Sequence, residues 1–119
     1  MQPKDEDELQ DMMATGLALD GPSFVRYPRG SGEGVSLKEI PIPIPVGKAE
    51  VLRAGKDFAI WALGPFVKEA LDIAVRLSEE EGLEASVVNA RFAKPLDEKL
   101  LIKHAKTCEC LITLSLIHI

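Results

Sequence analysis

The chain has 119 residues, 46% hydrophobic, 28% charged and 5% aromatic, with a formal net charge of −5 at pH 7. That length suits one ordinary domain or parts of two neighbouring ones, and a core rich in Val, Leu, Ile and Ala is that of an α/β protein, not of a disordered chain. No Lys/Arg run offers nucleic acid a basic face and no apolar stretch nears the roughly 20 residues of a membrane span, so small anionic substrates met by one or two placed arginines remain.

Met1 is followed by "QPKDEDE", without a basic and then apolar leader, which reads as a cytoplasmic chain or an internal piece of a longer one. Cys108 and Cys110 are too close for an ordinary disulfide and fit a reducing compartment.

In chain order, residues 4–19 are predicted to be a helix. Leu9, Met12, Met13 and Leu17 form its apolar face, Pro3 precedes it, and Asp5, Glu6, Asp7 and Glu8 make a solvated first turn where the dipole favours acids. After the "DGP" turn, "SFVRY" is β-branched and aromatic enough for a short buried strand ending at Pro28. Alternation places Phe24 and Arg26 on one face, and Val25, Tyr27 and then Arg29 on the other.

The texture changes at "GSGEGVSLKEIPIPIP", where alternate prolines forbid a helix and favour an extended, polyproline-like path between two domains. A dinucleotide-phosphate loop is excluded here, because its glycines would have to lead straight into a helix.

Beyond the prolines, strands are predicted at about 48–53 and 57–63, joined by a tight "AGKD" turn. A helix then runs from Gly64-Pro65 to about Glu81, with Val67, Ala70, Leu71, Ala74 and Leu77 inward and Gly82 as its stop. "EASVVNARF" is the next strand. Asp97 caps a second helix with Leu100, Leu101 and Ala105 inward, and "CLITL" is a further strand in which Cys110 points into the sheet. Strand, helix, strand, helix, strand with short connections implies an α/β fold with a mainly parallel sheet flanked by helices.

Candidate chemistry is sparse. His104, Cys108, Cys110 and His118 are an N/S set of the kind zinc uses, but the Cys-x-Cys spacing is wrong for a knuckle, and a buried free cysteine is the better account. No serine sits in a G-x-S-x-G elbow, so no catalytic residue is assigned. Arg26 and Arg29 stand out. An arginine at the carboxyl end of a buried strand sits where α/β folds place ligands, and its planar fork suits a phosphate; a structural ion pair is the rival account, favoured for one of the two.

Four segments, "PKDEDEL", "GPSFVRYPRG", "PVGKAEVLRAGKDFAIWALGP" and "VVNARFAKPLDEKLL", resemble in order and spacing the later part of the bacterial and plastid 1-deoxy-D-xylulose 5-phosphate synthases, a transketolase-like family. The likeness covers the chain to about Leu114; the "SLIHI" that follows Leu114 departs from the family and is expected to be dispensable for stability.

The resemblance implies three α/β domains in a homodimer. Residues 1–35 would be the end of the pyrimidine-binding domain, 36–45 a proline-rich interdomain linker, and 46–119 an incomplete transketolase C-terminal domain. It also implies that pyruvate and glyceraldehyde 3-phosphate are joined with loss of carbon dioxide, on the route to isoprenoids and thiamine, in a bacterial cytoplasm or a plastid stroma. Thiamine diphosphate and Mg2+ serve the whole enzyme.

In that family an arginine of the "VRYPRG" motif helps bind the substrate phosphate, a role that passes to Arg29 first and Arg26 second. The "GDG…N" motif, the glutamate that activates the aminopyrimidine and the family's histidines are not found. The chain is therefore expected to be a fragment without turnover of its own, binding no cofactor. The alternative from another class is a non-catalytic binding or dimerisation module, taken from transketolase or a 2-oxoacid dehydrogenase β subunit.

Overall fold

A computed structural model describes residues 1–115. Its elements are α1 (Glu6–Ala18), β1 (Glu50–Arg53), β2 (Phe58–Ala62), α2 (Phe66–Glu81), β3 (Ala85–Asn89), α3 (Glu98–Thr107) and β4 (Cys110–Leu114). The strands form one sheet in the order β1-β3-β2-β4; β2 is parallel to both β3 and β4, and only β1 runs antiparallel, against β3. This is the expected α/β architecture with a mostly parallel sheet. None of the described helices is long and apolar enough to cross a membrane.

Both faces of the central strands are covered, which is why β2 and β3 read as nearly continuous apolar runs. Side chains alternate along a strand, so Ile60 and Ala62 join Ala85 and Val87 on the face that receives Val67, Ala70 and Ala74 of α2. The opposite set, Ala59, Trp61 and Leu63 with Val88 and Ala90, meets Leu100 and Leu101 of α3. Burying each Val- or Ile-sized side chain in these layers contributes about 1.5–3 kcal/mol. Gly82 ends α2 in the left-handed conformation (φ 67°) and Asp97 caps α3 by accepting the Leu100 N–H, both as the sequence predicts.

The 54–57 turn is not a hairpin. β1 and β2 flank β3 instead of pairing, because the α2 crossover delivers β3 between them. The turn passes so closely over the start of β3 that a Cβ on Gly55 would stand 2.3 Å from the Ala85 carbonyl carbon. There the Gly55 N–H donates to Ser86 Oγ (2.9 Å), which in turn donates to the Gly55 carbonyl (2.8 Å).

Three further expectations are corrected. Residues 23–27 form no sheet strand and are largely exposed; among the described residues their backbone hydrogen bonds are to Met1, whose ammonium donates to the Phe24 carbonyl (2.7 Å) and whose carbonyl accepts from the Arg26 N–H (2.9 Å). An extended segment with one residue beside it cannot build a ladder. Helix α1 buries Glu8, Asp11, Met12 and Thr15, leaving Met13 and Leu17 of its predicted inner face exposed. Its polar side is needed inward, as the site below shows. Finally Cys110 and Ala105 are exposed, and His104 takes the inward position on α3. Residues 116–119 of the "SLIHI" tail lie outside the described residues.

His104 is inward because the Trp61 indole N–H needs an acceptor: Nε1 donates to His104 Nδ1 at 3.1 Å, with the rings 5.9 Å apart edge to face. Nδ1 is thus a lone pair and the ring proton sits on Nε2. Desolvation, and then the nearby Lys103 charge, push the imidazole below its ordinary value of 6.5. A folded-state pKa below the unfolded one means that the pair's contribution is whole above about pH 6.5 and lost as pH falls through the folded value. The α-amino group of Met1, lowered from 8.0 by burial, adds a separate slope at higher pH. Melting temperatures measured from pH 8 to pH 5 are therefore expected to fall below about pH 6.5 in the native chain and to lose that component in His104→Phe. Parallel profiles for the two proteins would remove His104 from the account.

Candidate functional site

The amino end of α1 lies against the carboxyl ends of β2 and β3. Glu8, 3% exposed, is the anchor: Oε1 accepts Arg91 Nε (2.7 Å) and Asn89 Nδ2 (2.8 Å), and Oε2 accepts the Lys4 N–H (2.9 Å). Arg91 reaches on to Glu50 of β1 (2.8 Å), while its carbonyl accepts the Gln2 N–H (2.9 Å). Its φ of 59° is unusual for an arginine, a strained conformation held by these contacts.

The same helix face ties down the proline-rich segment. Pro41, Pro43 and Pro45 alternate with residues whose N–H groups have no sheet to join, and α1 supplies acceptors instead: Asp11 Oδ1 for Ile42 N–H and Thr15 Oγ1 for Ile44 N–H, each at 2.7 Å. Asp7 Oδ1 accepts the Lys38 N–H (2.8 Å), and the Lys38 ammonium lies 2.6 Å from both Asp7 and Asp11. Hydrogen bonding to Asp11 and then Asp7 raises Lys38, and Lys38 in turn lowers Asp7. The first-turn acids expected to be solvated are engaged, with Asp5 capping the helix by accepting the Glu8 N–H (2.7 Å). Ile44 joins Met12 and Phe92 in a third core, with Met1 and Val25 against it.

Above this platform residues 27–33 and the start of α1 enclose a cleft of about 420 Å³. Tyr27, Arg29, Lys4, Glu6 and Pro65 are among its walls. Along the 23–29 segment Val25 packs against the third core, the consecutive residues Tyr27, Pro28 and Arg29 line the cleft, and Arg26 does not. Neither Arg26 nor Arg29 has an ion pair among the described residues, so the structural pairing expected for one of them is not found there. Of the proposed N/S set, His104 Nδ1 is occupied by Trp61, and His118 lies outside the described residues. Sequence reasoning missed Glu8, Asn89 and Arg91, which lie 81 and 83 positions apart and show no local pattern.

Residues 47–115 match the family described as the transketolase C-terminal domain. The chain is similar to a 1-deoxy-D-xylulose-5-phosphate synthase of Thermomicrobium roseum, 52% identical over 95% of this chain and 18% of that protein. It is likewise similar to one of Gloeobacter violaceus, 54% identical over 95% of this chain and 18% of that protein. It thus spans under one fifth of the length of these curated relatives. A solved structure described as a split-gene transketolase, an inactive beta4 tetramer, superposes with a TM-score of 0.80 at 32% identity, over 93% of this chain and 36% of that one.

Removing the Glu8 carboxylate would leave Arg91 and Asn89 facing a void. Breaking a buried pair from one side costs about 3–5 kcal/mol, whereas an exposed pair is worth about 0–1. With Arg91 19% exposed, Glu8→Ala is expected near the lower end of the first range in urea denaturation of this chain. A loss below about 1 kcal/mol would mean the cluster behaves as a surface pair.

Proposed function

The chain belongs to the transketolase C-terminal domain family, and from that premise we propose that it is part of a 1-deoxy-D-xylulose 5-phosphate synthase in which Arg29 contacts the substrate phosphate. The whole enzyme would condense pyruvate with glyceraldehyde 3-phosphate, releasing carbon dioxide, as a homodimer using thiamine diphosphate and Mg2+ in a bacterial cytoplasm or plastid stroma. The observation that carries this reading is identity of about half across 95% of the chain. That likeness includes the residues before 47, which the domain family does not cover.

The start of the family match at 47 supports a boundary near 46; on the same reading 36–45 would be the linker and 1–35 the end of the pyrimidine-binding domain. Among the described residues the N–H groups of residues 33–35 are already bonded to Glu6 and no group of three or more His, Cys, Asp or Glu is placed to hold a metal ion, so no cofactor contact is assigned to them. No chemical step is assigned to this chain beyond binding and orienting a phosphate. The rival, a non-catalytic module of transketolase type, is supported by weaker identity, 32%.

Pro28 fixes the backbone before Arg29, which lines the cleft and has no ion pair among the described residues, while Arg26 is not among the lining residues. Losing one charge-assisted contact costs about 1.5–3 kcal/mol, or roughly ten- to hundred-fold. In a complete synthase carrying this segment, Arg29→Ala is expected to raise the KM for glyceraldehyde 3-phosphate by that factor and to leave the KM for pyruvate nearly unchanged. Arg29→Lys should recover only part, because an ammonium lacks the bidentate fork. Equal effects on both substrates, or the same selective defect from Arg26→Ala alone, would move the role away from Arg29.

A further inference from the structure

Between Arg29 and the proline tract the chain crosses from α1 to α2 as a strap, residues 30–35, and one carboxylate collects its backbone. Glu6 Oε1 accepts the N–H groups of Gly34 (2.6 Å) and Val35 (3.1 Å), and Oε2 accepts that of Glu33 (3.0 Å). The strap lies directly on the carboxyl group: a Cβ on Gly32 would stand 2.7 Å from both Glu6 Cδ and Oε1. Gly34, at φ +80°, turns the chain so that successive N–H groups converge. On its far side the strap is held by Glu33, 2.6 Å from Lys68 of α2. That pair is exposed and contributes little.

Consecutive N–H groups aimed at one point form an anion nest. Here the anion is the chain's own. A phosphate therefore cannot use these glycine-loop N–H groups while Glu6 occupies them, and has to be met in the adjoining cleft by side-chain cations, of which Arg29 follows at once upon Pro28. Hydrogen bonding from its own backbone N–H, and then from those of the strap, keeps Glu6 below the ordinary carboxylate range. It stays an acceptor throughout the neutral range.

We propose that Glu6 is a positioning residue: by holding residues 33–35 it fixes the strap that carries Arg29 at the cleft, so that the guanidinium meets a phosphate-bearing substrate without first ordering the loop. This rests on the phosphate reading of Arg29.

The test is a set of variants in a complete synthase carrying this segment, with amide hydrogen exchange measured on the 119-residue chain. Glu6→Ala should raise the KM for glyceraldehyde 3-phosphate about three- to ten-fold, the size of a lost ordering contact, while kcat and the KM for pyruvate hold. Glu6→Gln, which keeps one carbonyl acceptor, should show a smaller rise, and Lys68→Ala almost none. Added to Arg29→Ala, Glu6→Ala should have no further effect, because a residue acting through another is not additive with it. Exchange at Glu33, Gly34 and Val35 should quicken in Glu6→Ala. If Glu6→Ala weakens both substrates equally, or keeps its full effect beside Arg29→Ala, the positioning role is overturned while the phosphate reading stands. If Arg29→Ala is itself unselective, the phosphate reading falls and takes this proposal with it, even where exchange quickens.

Discussion

The Glu8 carboxylate, buried under Asn89 and Arg91, is the contact on which the arrangement of the two halves of this chain depends. A carboxylate that far from water needs donors on both oxygens, and these come from the carboxyl end of β3 and from the backbone just before α1. Satisfying it fixes where α1 starts and how it lies over the sheet. From that one placement follow the burial of Met12 against Phe92 and the closeness of Gln2 to Gly64 at the end of β2. The strained Arg91 belongs to the same economy of forces: its φ of 59° is held because its backbone and side chain bond in four directions at once.

Once α1 is placed, its polar face has a task. A proline tract cannot pair with a sheet, yet its remaining N–H groups cannot be left dry. Asp7, Asp11 and Thr15 accept them at a spacing of four residues, one helical turn, while Lys38 neutralises the two aspartates. Short polar side chains on one side of a helix thereby do what a neighbouring strand would do. The apolar residues of the other side, Met13 and Leu17, are left outward.

This is why the sequence was legible in some places and not in others. Between Glu50 and Leu114 the apolar periods, the Asp97 cap and the Gly82 stop are local signals reinforced by the packing, so the elements and the mostly parallel sheet follow from them. In α1 the apolar period gave the helix but the wrong face, because the deciding partners, Ile42, Ile44 and Asn89, are 29 to 81 positions away. His104 was hidden for a like reason: its value as an acceptor depends on Trp61, 43 positions earlier. For the cleft, it was the family resemblance that ranked Arg29 above Arg26, whereas Glu6 looked like any acid at a helix start.

In open α/β sheets the crevice beyond the carboxyl ends of the strands is the usual place for a ligand. Here the carboxyl ends of β2 and β3 are covered by the chain itself, through Gln2, Glu8 and Arg91, and the glycine-rich N–H groups nearby are filled by Glu6. The polar groups that would meet an anion at these two places are thus engaged with internal partners. An apolar cleft of about 210 Å³ remains beyond the strand ends, lined by Leu63, Ala90 and Leu114 and offering an anion no cationic side chain, whereas the larger cleft walled by Tyr27, Pro28 and Arg29 carries an arginine just after a φ-locked proline. On the phosphate reading proposed for Arg29, a planar guanidinium would select by geometry as well as charge, and the Glu6 carboxylate that fills the nearby N–H groups also ties down the segment that follows it.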